Sequence, residues 1–249
     1  MWRLDPETTV PCWRPASTED GLILAFTTRR GGVSEEAFAS LNVGASSGDR
    51  PEAVEENRRR TLASLGLGAA RLATAGLVHG AEVAEVRGAG HTPGCDALLT
   101  RERGVVLAVT TADCLPIILA LPGAVAVAHC GWRGTAARLP ERVVLAASAA
   151  AGVTPREVRA HLGPCIRPCC YEVGPEVARQ FPASVGHLVE GRHRLDLASA
   201  ARMQLLDSGI PPEAILDTAA CTCCEPTWYF SHRRDGSRYG RHWTLAAMS

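Results

Sequence analysis

The sequence contains no lysine, so all 26 residues in the combined lysine and arginine count are arginine. This absence excludes mechanisms that need a lysine, such as Schiff-base catalysis or phosphate binding by a P-loop lysine. The arginines are spread along the chain and balanced by 26 acidic residues, so the net charge is zero. A nucleic-acid-binding protein typically carries a concentrated basic surface. We therefore expect a small-molecule partner and no nucleic acid.

The sequence also lacks an uninterrupted apolar run of the ~20 residues that a membrane-spanning helix needs. Its most apolar segment, residues 104–129, is interrupted by Asp113, Pro116 and Pro122. The first residues include acidic side chains and no apolar core typical of a signal peptide. We therefore expect no membrane association and a cytoplasmic location. In the cytoplasm the ten cysteines would be thiols, metal ligands or a nucleophile rather than disulfides.

Short apolar runs and amphipathic segments predict a mixture of strands and helices. Strands are predicted in the runs GLILAFTTR, VAEVRG, GVVLAVTT, LPIILAL, AVAVAH, VRAHLGP, HRLDL and AILDT. Helices are predicted in DRPEAVEENRRRTLASLG, ERVVLAASAAAG and LASAARMQLLDSG, each of which ends at a glycine. Strands and helices do not alternate strictly, and no repeat of 20 to 50 residues is present. The pattern favours an α+β fold in one domain, residues 1–249.

Three side chains with metal-binding chemistry lie at or beside the ends of apolar runs. They are His79 in LVHGAEV, Cys114 in TTADCLPI and His129 in VAHCGWRG. One cysteine and two histidines form a zinc ligand set, and three protein ligands with an open fourth position are typical of a catalytic site. The spacing matches no compact zinc-finger pattern. From the residues alone, a histidine with a purely structural role is therefore the favoured interpretation.

Two further segments are rich in cysteine. The segment GPCIRPCCYEVG holds Cys165, Cys169 and Cys170, and the segment CTCCEP holds Cys221, Cys223 and Cys224. Thiolates suit a structural zinc or an iron–sulfur cluster. Neither segment is a clean Cys-x-x-Cys motif, so the sequence favours buried thiols that act as small apolar side chains. Each segment follows a predicted strand, and we expect the two segments to end neighbouring strands and to line the same cleft.

Two glycine-rich turns contain arginine: TTRRGGVS with Arg29 and Arg30, and GWRGTAA with Arg133. A glycine-rich turn before a helix exposes backbone N–H groups, and a nearby guanidinium adds a cation, so an anion such as phosphate could bind there. A purely structural turn is the competing interpretation. Asp113, beside Cys114, is interpreted either as a group that orients a metal ligand or as a turn cap.

Several segments together resemble one known family. They are TTRRGGVSEEAFASLNVG, GDRPEAVEENRRR, VHGAEV, DALLT, TTADCLPI, AVAHCGWRGTAA, LGPCIRPCCYEVG and YFSHRRDGSRYGR. They occur in order over about residues 20 to 242 and resemble the laccase-domain polyphenol oxidase (YfiH-like) family, described as purine nucleoside phosphorylases. The family usually has glutamine where this chain has Leu77 and often alanine where it has Cys130.

The resemblance implies a four-layer α/β/β/α sandwich with mixed sheets. It also implies that His79, Cys114 and His129 bind zinc, with copper as the alternative metal, and form the catalytic centre. The implied activity is phosphorolysis of adenosine, inosine, guanosine and methylthioadenosine, with adenosine deamination as a side activity. The partners would then be a purine nucleoside and phosphate. The oligomeric state stays open.

We predict that four polar side chains bind substrate or phosphate: Arg29, Asn42, Arg133 and Arg233. Charge-assisted hydrogen bonds from guanidinium groups are suited to phosphate. Three alternatives stay open at this point. Cys114 could instead be the nucleophile of a metal-independent cysteine hydrolase or deamidase, with His79 or His129 as its base. The protein could also be a copper-dependent polyphenol oxidase, or a non-catalytic metal-binding module with a fourth protein ligand.

Overall fold

The computed structural model describes residues 1–16, 21–68 and 70–249. Its strands are β1 (Trp2–Leu4), β2 (Cys12–Pro15), β3 (Leu22–Thr27), β4 (Arg71–Gly76), β5 (Val83–Glu85), β6 (Gly90–Pro93), β7 (Ala97–Thr100), β8 (Val105–Thr111), β9 (Leu115–Leu121), β10 (Ala124–Cys130), β11 (Arg159–Leu162), β12 (Gly186–Val189), β13 (Arg192–Leu195), β14 (Ile215–Asp217) and β15 (His242–Met248). Its α-helices are α1 (Pro51–Ser64), α2 (Trp132–Ala136), α3 (Leu139–Ala151), α4 (Pro175–Ala178), α5 (Leu197–Asp207) and α6 (His232–Asp235).

The three predicted helices correspond to α1, α3 and α5. Proline occupies the first turn of α1 and of α3, where its missing N–H has no helical partner to lose. Pro140 therefore lies in the first turn of α3 and does not kink a longer helix, and Gly152 ends α3 in the left-handed conformation. The side chain of Asp196 caps α5 by accepting a hydrogen bond from the backbone N–H of Ser199 at 2.9 Å.

The strands form two large mixed sheets and one small hairpin. The first sheet has seven strands in the order β1-β2-β3-β15-β8-β4-β6, and the second has six in the order β14-β11-β9-β10-β7-β5. In each sheet antiparallel pairs dominate the centre. Parallel pairs join β4 to β6 and β8 in the first sheet, and β11 to β14 and β5 to β7 in the second. Strands β12 and β13 form the hairpin.

Three apolar clusters separate the layers of the fold. The first packs α3 and α5 against one face of the six-stranded sheet, through residues such as Val143, Leu205 and Ala126. The second fills the space between the two sheets. The third lies on the outer face of the seven-stranded sheet, where Leu62 of α1 packs against it. The order of layers is therefore helix, sheet, sheet, helix, as the resemblance implied.

Strand β10 shows how one segment serves two layers. Ala126, Ala128 and Cys130 belong to the cluster under the helices, whereas Val125 and Val127 belong to the cluster between the sheets. This alternation follows from the period of two in a β-strand. Every residue of β10 is buried, so its sequence shows no alternation of apolar and polar residues.

Strand β15 was absent from the predicted strands although it lies in the middle of the seven-stranded sheet. Its sequence, HWTLAAM, is buried at every position. Alanine is depleted in strands, so this segment has a weak strand signal of its own. It is held in place instead by long-range antiparallel pairing with β3 and β8.

Over the described residues, we find no helix that combines the length and apolar character needed to cross a membrane.

Candidate active site

The two large sheets bring His79, Cys114 and His129 together. His79 lies in the loop after β4 and has a positive φ of 58°. Cys114 directly precedes β9, and His129 lies near the end of β10, where it pairs with Pro116 of β9. Turning back between β9 and β10 therefore places the cysteine and the second histidine side by side, although 15 positions separate them in the sequence.

The metal-binding atoms of these three residues all lie within 4.8 Å of one another. The rings of His79 and His129 meet edge to face with 4.8 Å between their centroids. Gly131 lies directly against the group: a Cβ at this position would be 3.0 Å from His79 Nδ1 and 3.1 Å from Cys114 Sγ. A side chain there would press against both donors, so close approach rather than a positive φ favours glycine at this position.

A buried carboxylate, Asp96, supports the group from behind. Its Oδ1 is 2.8 Å from Nδ1 of His129. The same carboxylate accepts backbone hydrogen bonds from Val78, His79 and Gly80 at 3.1, 3.0 and 2.7 Å. Asp96 therefore fixes the orientation of His129 and the loop that carries His79, and it leaves Nε2 of His129 for a ligand.

Sequence reasoning missed Asp96 as a site residue. A signal was present, because this aspartate stands at the start of the apolar strand β7 in the quoted segment DALLT and is completely buried. A fully buried aspartate needs partners. Only the pairing of β7 with β10, however, reveals that its partner is His129.

The protein groups shift the pKa values of Cys114 and His129 in opposite directions. Burial raises the pKa of the Cys114 thiol, but the imidazoles of His129 and His79 outweigh burial and lower it to about 6. Burial lowers the pKa of His129, but Cys114 and the hydrogen-bonded Asp96 outweigh burial and raise it to about 9. Without a metal, the site therefore favours a thiolate next to an imidazolium.

Asp113 has a different role from Asp96. Its Oδ1 accepts a hydrogen bond from Thr222 Oγ1 at 2.6 Å, and its Oδ2 accepts from Ser231 Oγ at 3.0 Å and from the backbone N–H of Arg233 at 2.7 Å. These contacts tie two distant loops to the segment before β9. Of the two interpretations of Asp113, the structure favours a local structural one, since its carboxylate bonds Thr222, Ser231 and Arg233 rather than a candidate metal ligand.

The three candidate ligands line a cavity of about 1110 Å³. This volume is enough for a small organic molecule. Arginine is the most frequent charged residue in the lining, which includes Arg58, Arg133, Arg233 and Arg241. Four arginines lie over aromatic rings that line the same cavity: Arg58 at 5.2 Å from the Trp243 centroid, Arg133 at 4.3 Å from Trp132, Arg233 at 5.3 Å from Tyr171 and Arg241 at 3.9 Å from Tyr239.

Two of the predicted substrate contacts lie elsewhere. Arg29 is absent from the cavity lining: it donates to the carbonyl of Ala39 at 2.7 Å and lies 4.5 Å from the centroid of Phe230. Asn42 is fully buried. Its side-chain Nδ2 donates a hydrogen bond to Asp49 Oδ2 at 3.0 Å, and its Oδ1 accepts one from the backbone N–H of Arg241 at 2.9 Å. Their role in substrate binding stays a prediction, and their contacts favour a structural one.

Arg133 and Arg233, in contrast, line the cavity together with the candidate ligands. Arg233 donates to the carbonyl of Cys170 at 3.3 Å. Over the described part of the chain, the guanidinium of Arg133 contacts the Trp132 ring and has no carboxylate or carbonyl partner. Its hydrogen-bond donors are therefore free to bind an anion.

The donor set fits a metal ion such as zinc. Cysteine and histidine are its usual protein ligands, and Asp96 supplies the supporting carboxylate that ligating histidines typically have. Within the described residues, the group has three donors and no fourth, and it faces a cavity. This arrangement is typical of a catalytic rather than a closed structural site. The series Cys114, His129 and Asp96 also has the order of a nucleophile, a base and a group that orients the base.

Comparison with known proteins shows similarity to proteins named as nucleoside-processing enzymes. A family model described as “Multi-copper polyphenol oxidoreductase laccase” matches residues 23–249. A purine nucleoside phosphorylase of Deinococcus radiodurans is 40% identical over 230 residues, which cover 90% of this chain and 88% of that protein. An adenosine deaminase, RL5, from an unknown prokaryotic organism is 34% identical over 241 residues, covering 88% of this chain and 92% of that protein.

The similarity extends to the three-dimensional structure. Purine nucleoside phosphorylase YlmD of Geobacillus stearothermophilus is 38% identical over 241 residues, which cover 89% of this chain and 88% of that protein. The crystal structure of YlmD from the same organism superposes with a TM-score of 0.92 and covers 99% of this chain and 98% of that chain. The two proteins therefore share the whole fold.

Proposed function

We propose that this chain, which belongs to the multi-copper polyphenol oxidoreductase laccase family, is a zinc-dependent purine nucleoside phosphorylase. The observation that carries the proposal is the meeting of His79, Cys114 and His129 at a cavity lined by several arginines. A metal-binding centre alone serves many reactions. An unpaired guanidinium beside it supplies the anion-binding group that a phosphate-dependent reaction needs.

His79, Cys114 and His129 would hold the zinc ion, and Asp96 would hold His129 in the orientation that binds it. When bound, zinc acts as a Lewis acid and lowers the pKa of a coordinated water towards ~7. The thiolate form of Cys114, favoured by the two histidines, is the form that a metal requires. Copper binds the same donor types and is the alternative metal.

The residues around the centre would bind the two substrates. Arg133 and Arg233 would hold phosphate through charge-assisted hydrogen bonds. Each is already held over an aromatic ring, which reduces the freedom that it loses when phosphate binds. Trp132, Tyr171 and Tyr239 line the same cavity and offer apolar faces for a purine ring. We propose adenosine, inosine, guanosine and methylthioadenosine as substrates, with deamination of adenosine as a side activity.

A second candidate function follows from the Cys114, His129 and Asp96 series. A lowered pKa on the thiol and a carboxylate behind the imidazole are features of a cysteine nucleophile. This arrangement favours a metal-independent cysteine hydrolase or deamidase. The two candidates differ in their need for metal and for phosphate.

The test is to measure release of free base from adenosine and inosine by the zinc-loaded protein, with and without phosphate. The proposal predicts base release that requires phosphate and yields a phosphorylated sugar. Equal release without phosphate would identify a hydrolase. Activity that persists after removal of the metal would favour the cysteine mechanism. Detection of inosine formed from adenosine measures the proposed side activity in the same samples.

A further inference from the structure

Four cysteine sulfurs gather at one edge of the six-stranded sheet, outside the lining of the candidate active site. Strands β11 and β14 run parallel, so the segments after them leave the sheet at the same edge. An isolated parallel β-bridge, formed by the backbones of Cys165 and Cys221, continues this pairing. The loops beyond it place Cys169 and Cys170 beside Cys221 and Cys224, with all four sulfurs within 4.8 Å of one another.

This arrangement differs from the buried thiols that the sequence favoured. Cys165 and Cys221 are buried, but Cys169 and Cys224 are exposed, and Cys170 is half-buried. An exposed thiol gains little from acting as an apolar side chain. Cys221 and Cys224 also have the Cys-x-x-Cys spacing, which the intervening Cys223 obscures in the sequence.

The distances between the sulfurs fit a single metal ion. Cys169 Sγ lies 3.7 Å from Cys221 Sγ and 3.6 Å from Cys224 Sγ, and Cys170 Sγ lies 3.2 Å from Cys224 Sγ. Four sulfurs placed tetrahedrally at about 2.3 Å from zinc are about 3.8 Å from one another. We infer that Cys169, Cys170, Cys221 and Cys224 form a second metal site, which binds zinc through four thiolates.

Cationic groups adjoin the proposed site, as its charge requires. Zinc with four thiolates carries a net charge of about −2, which nearby cations stabilise. The guanidinium of Arg194 donates to the carbonyl of Cys169, and that of Arg233 donates to the carbonyl of Cys170, each at 3.3 Å. Both guanidiniums are therefore held by the same loop that supplies two of the sulfurs.

The site would connect two loops that also border the candidate active site. Tyr171 directly follows Cys170 and lines the cavity, as does Arg233. On the second loop, Thr222 stands between the two cysteines of the Cys-x-x-Cys pair and donates to Asp113. A metal that joins the loops would hold Tyr171 and Arg233 in position. Its role would therefore be structural, since none of the four cysteines lines the cavity.

The experiment measures zinc in a Cys114→Ala variant of the full chain, purified under reducing conditions, exposed to zinc and dialysed. Because this variant lacks a ligand of the first site, the result does not depend on the proposed reaction. We expect about one retained zinc per chain and an X-ray absorption spectrum with four sulfurs at about 2.3 Å. Retention of no zinc, or a shell containing nitrogen, would overturn the inference.

The Cys114→Ala, Cys224→Ser double variant identifies the ligands. Cys224 is exposed, so this replacement does not disturb the core, and we expect the remaining zinc to be lost. The matched control is Cys114→Ala with Cys12→Ala, since Cys12 is buried in a different apolar cluster and should not change zinc content. Zinc that is retained after Cys224→Ser would refute the site. A disulfide between Cys170 and Cys224 that persists under the reducing conditions would refute it as well. Bound iron in place of zinc would refute the choice of metal.

Discussion

The two groups of sulfur and nitrogen donors differ in number, chemistry and surroundings. His79, Cys114 and His129 have mixed donors, a carboxylate behind them and a cavity in front. The four-thiol group has a single donor type and lies in loops outside the cavity. An open position is needed for chemistry, whereas a complete set of four protein ligands favours structural binding. The comparison therefore supports the proposals that the first group carries out the reaction and that the second holds two loops together.

The two groups are nevertheless linked through the loops between them. Asp113, which precedes Cys114, accepts hydrogen bonds from Thr222 and from the backbone N–H of Arg233. Arg233 in turn donates to the carbonyl of Cys170. Substitutions in the four-thiol group should therefore affect the cavity indirectly, by shifting Arg233. Substitutions of Cys114 should affect the proposed reaction directly.

The largest expected effect is that of Cys114→Ala. This change removes the only sulfur ligand of the first group, so we expect loss of its metal and a fall of base release to background. The four-thiol group should keep its zinc. The control is Cys12→Ala, because Cys12 is a buried thiol that belongs to neither group. Metal content and turnover of the two variants measure both effects. Full zinc content together with full turnover in Cys114→Ala would remove Cys114 from the site.

A second effect distinguishes the thiols by pH in the metal-free protein. The pKa of Cys114 is lowered to about 6, whereas burial and the hydrogen-bonded Cys224 raise that of Cys169 to about 11. At pH 7 we expect alkylation of Cys114 to be at least about 100-fold faster, because the thiolate is the reactive form. Peptide mass spectrometry after timed alkylation measures the two rates. Similar rates would contradict the assigned environments.

The same lowered pKa gives Cys114 a defined influence on stability. An ordinary thiol has a value near 9.0, and the folded value is about 6. The stabilisation is therefore complete above about pH 9 and is lost as the pH falls through about 6. His129, whose pKa is raised from 6.5 to about 9, contributes the opposite dependence over the same range. We therefore expect the pair together to change the unfolding free energy of the metal-free protein little between about pH 6 and 9, which unfolding at several pH values measures.

Asp96→Asn should have the next largest effect. The change weakens the support of His129 and of the loop holding His79, and we expect metal affinity to fall by ~10- to 100-fold. Asp113→Asn is the matched control, because Asp113 bonds loop residues rather than a candidate ligand. Competition with a metal indicator gives both affinities. Equal losses in the two variants would show that Asp96 has no particular role at the metal.

The smallest effect separates two arginines that the sequence treated alike. Arg133→Ala should raise the KM for phosphate by roughly 10-fold or more, as expected for a lost charge-assisted hydrogen bond. Arg29→Ala should leave this KM unchanged and lower stability instead, because Arg29 bonds the carbonyl of Ala39 and contacts Phe230. Phosphate titration and thermal unfolding of both variants test this. A raised KM in Arg29→Ala would restore the sequence-based role.

The parts of the molecule that sequence could predict depend on local signals. Helices α1, α3 and α5 have proline or aspartate at their beginnings and glycine at or after their ends. The strands of the β9–β10 hairpin are continuous apolar runs. Cys114 and His129 stand at the ends of these strands, so the pairing of the two residues in one site follows from the hairpin.

The rest depends on contacts between distant segments. Asp96 meets His129 only because β7 pairs with β10. The four thiols meet only because β11 pairs in parallel with β14, more than fifty positions along the chain. Arg29 has the same sequence surroundings as an anion-binding arginine, yet the fold turns it towards backbone carbonyls. No local pattern contains this information.

The most direct test of the account follows zinc and base release together while a chelator is added in steps. The account predicts that activity disappears with the zinc held by His79, Cys114 and His129, while the four-thiol zinc is still bound. An X-ray absorption spectrum of the inactive protein should then show sulfur ligands only. Base release that continues after the mixed nitrogen and sulfur shell has been lost would contradict the assignment of the reaction to this site.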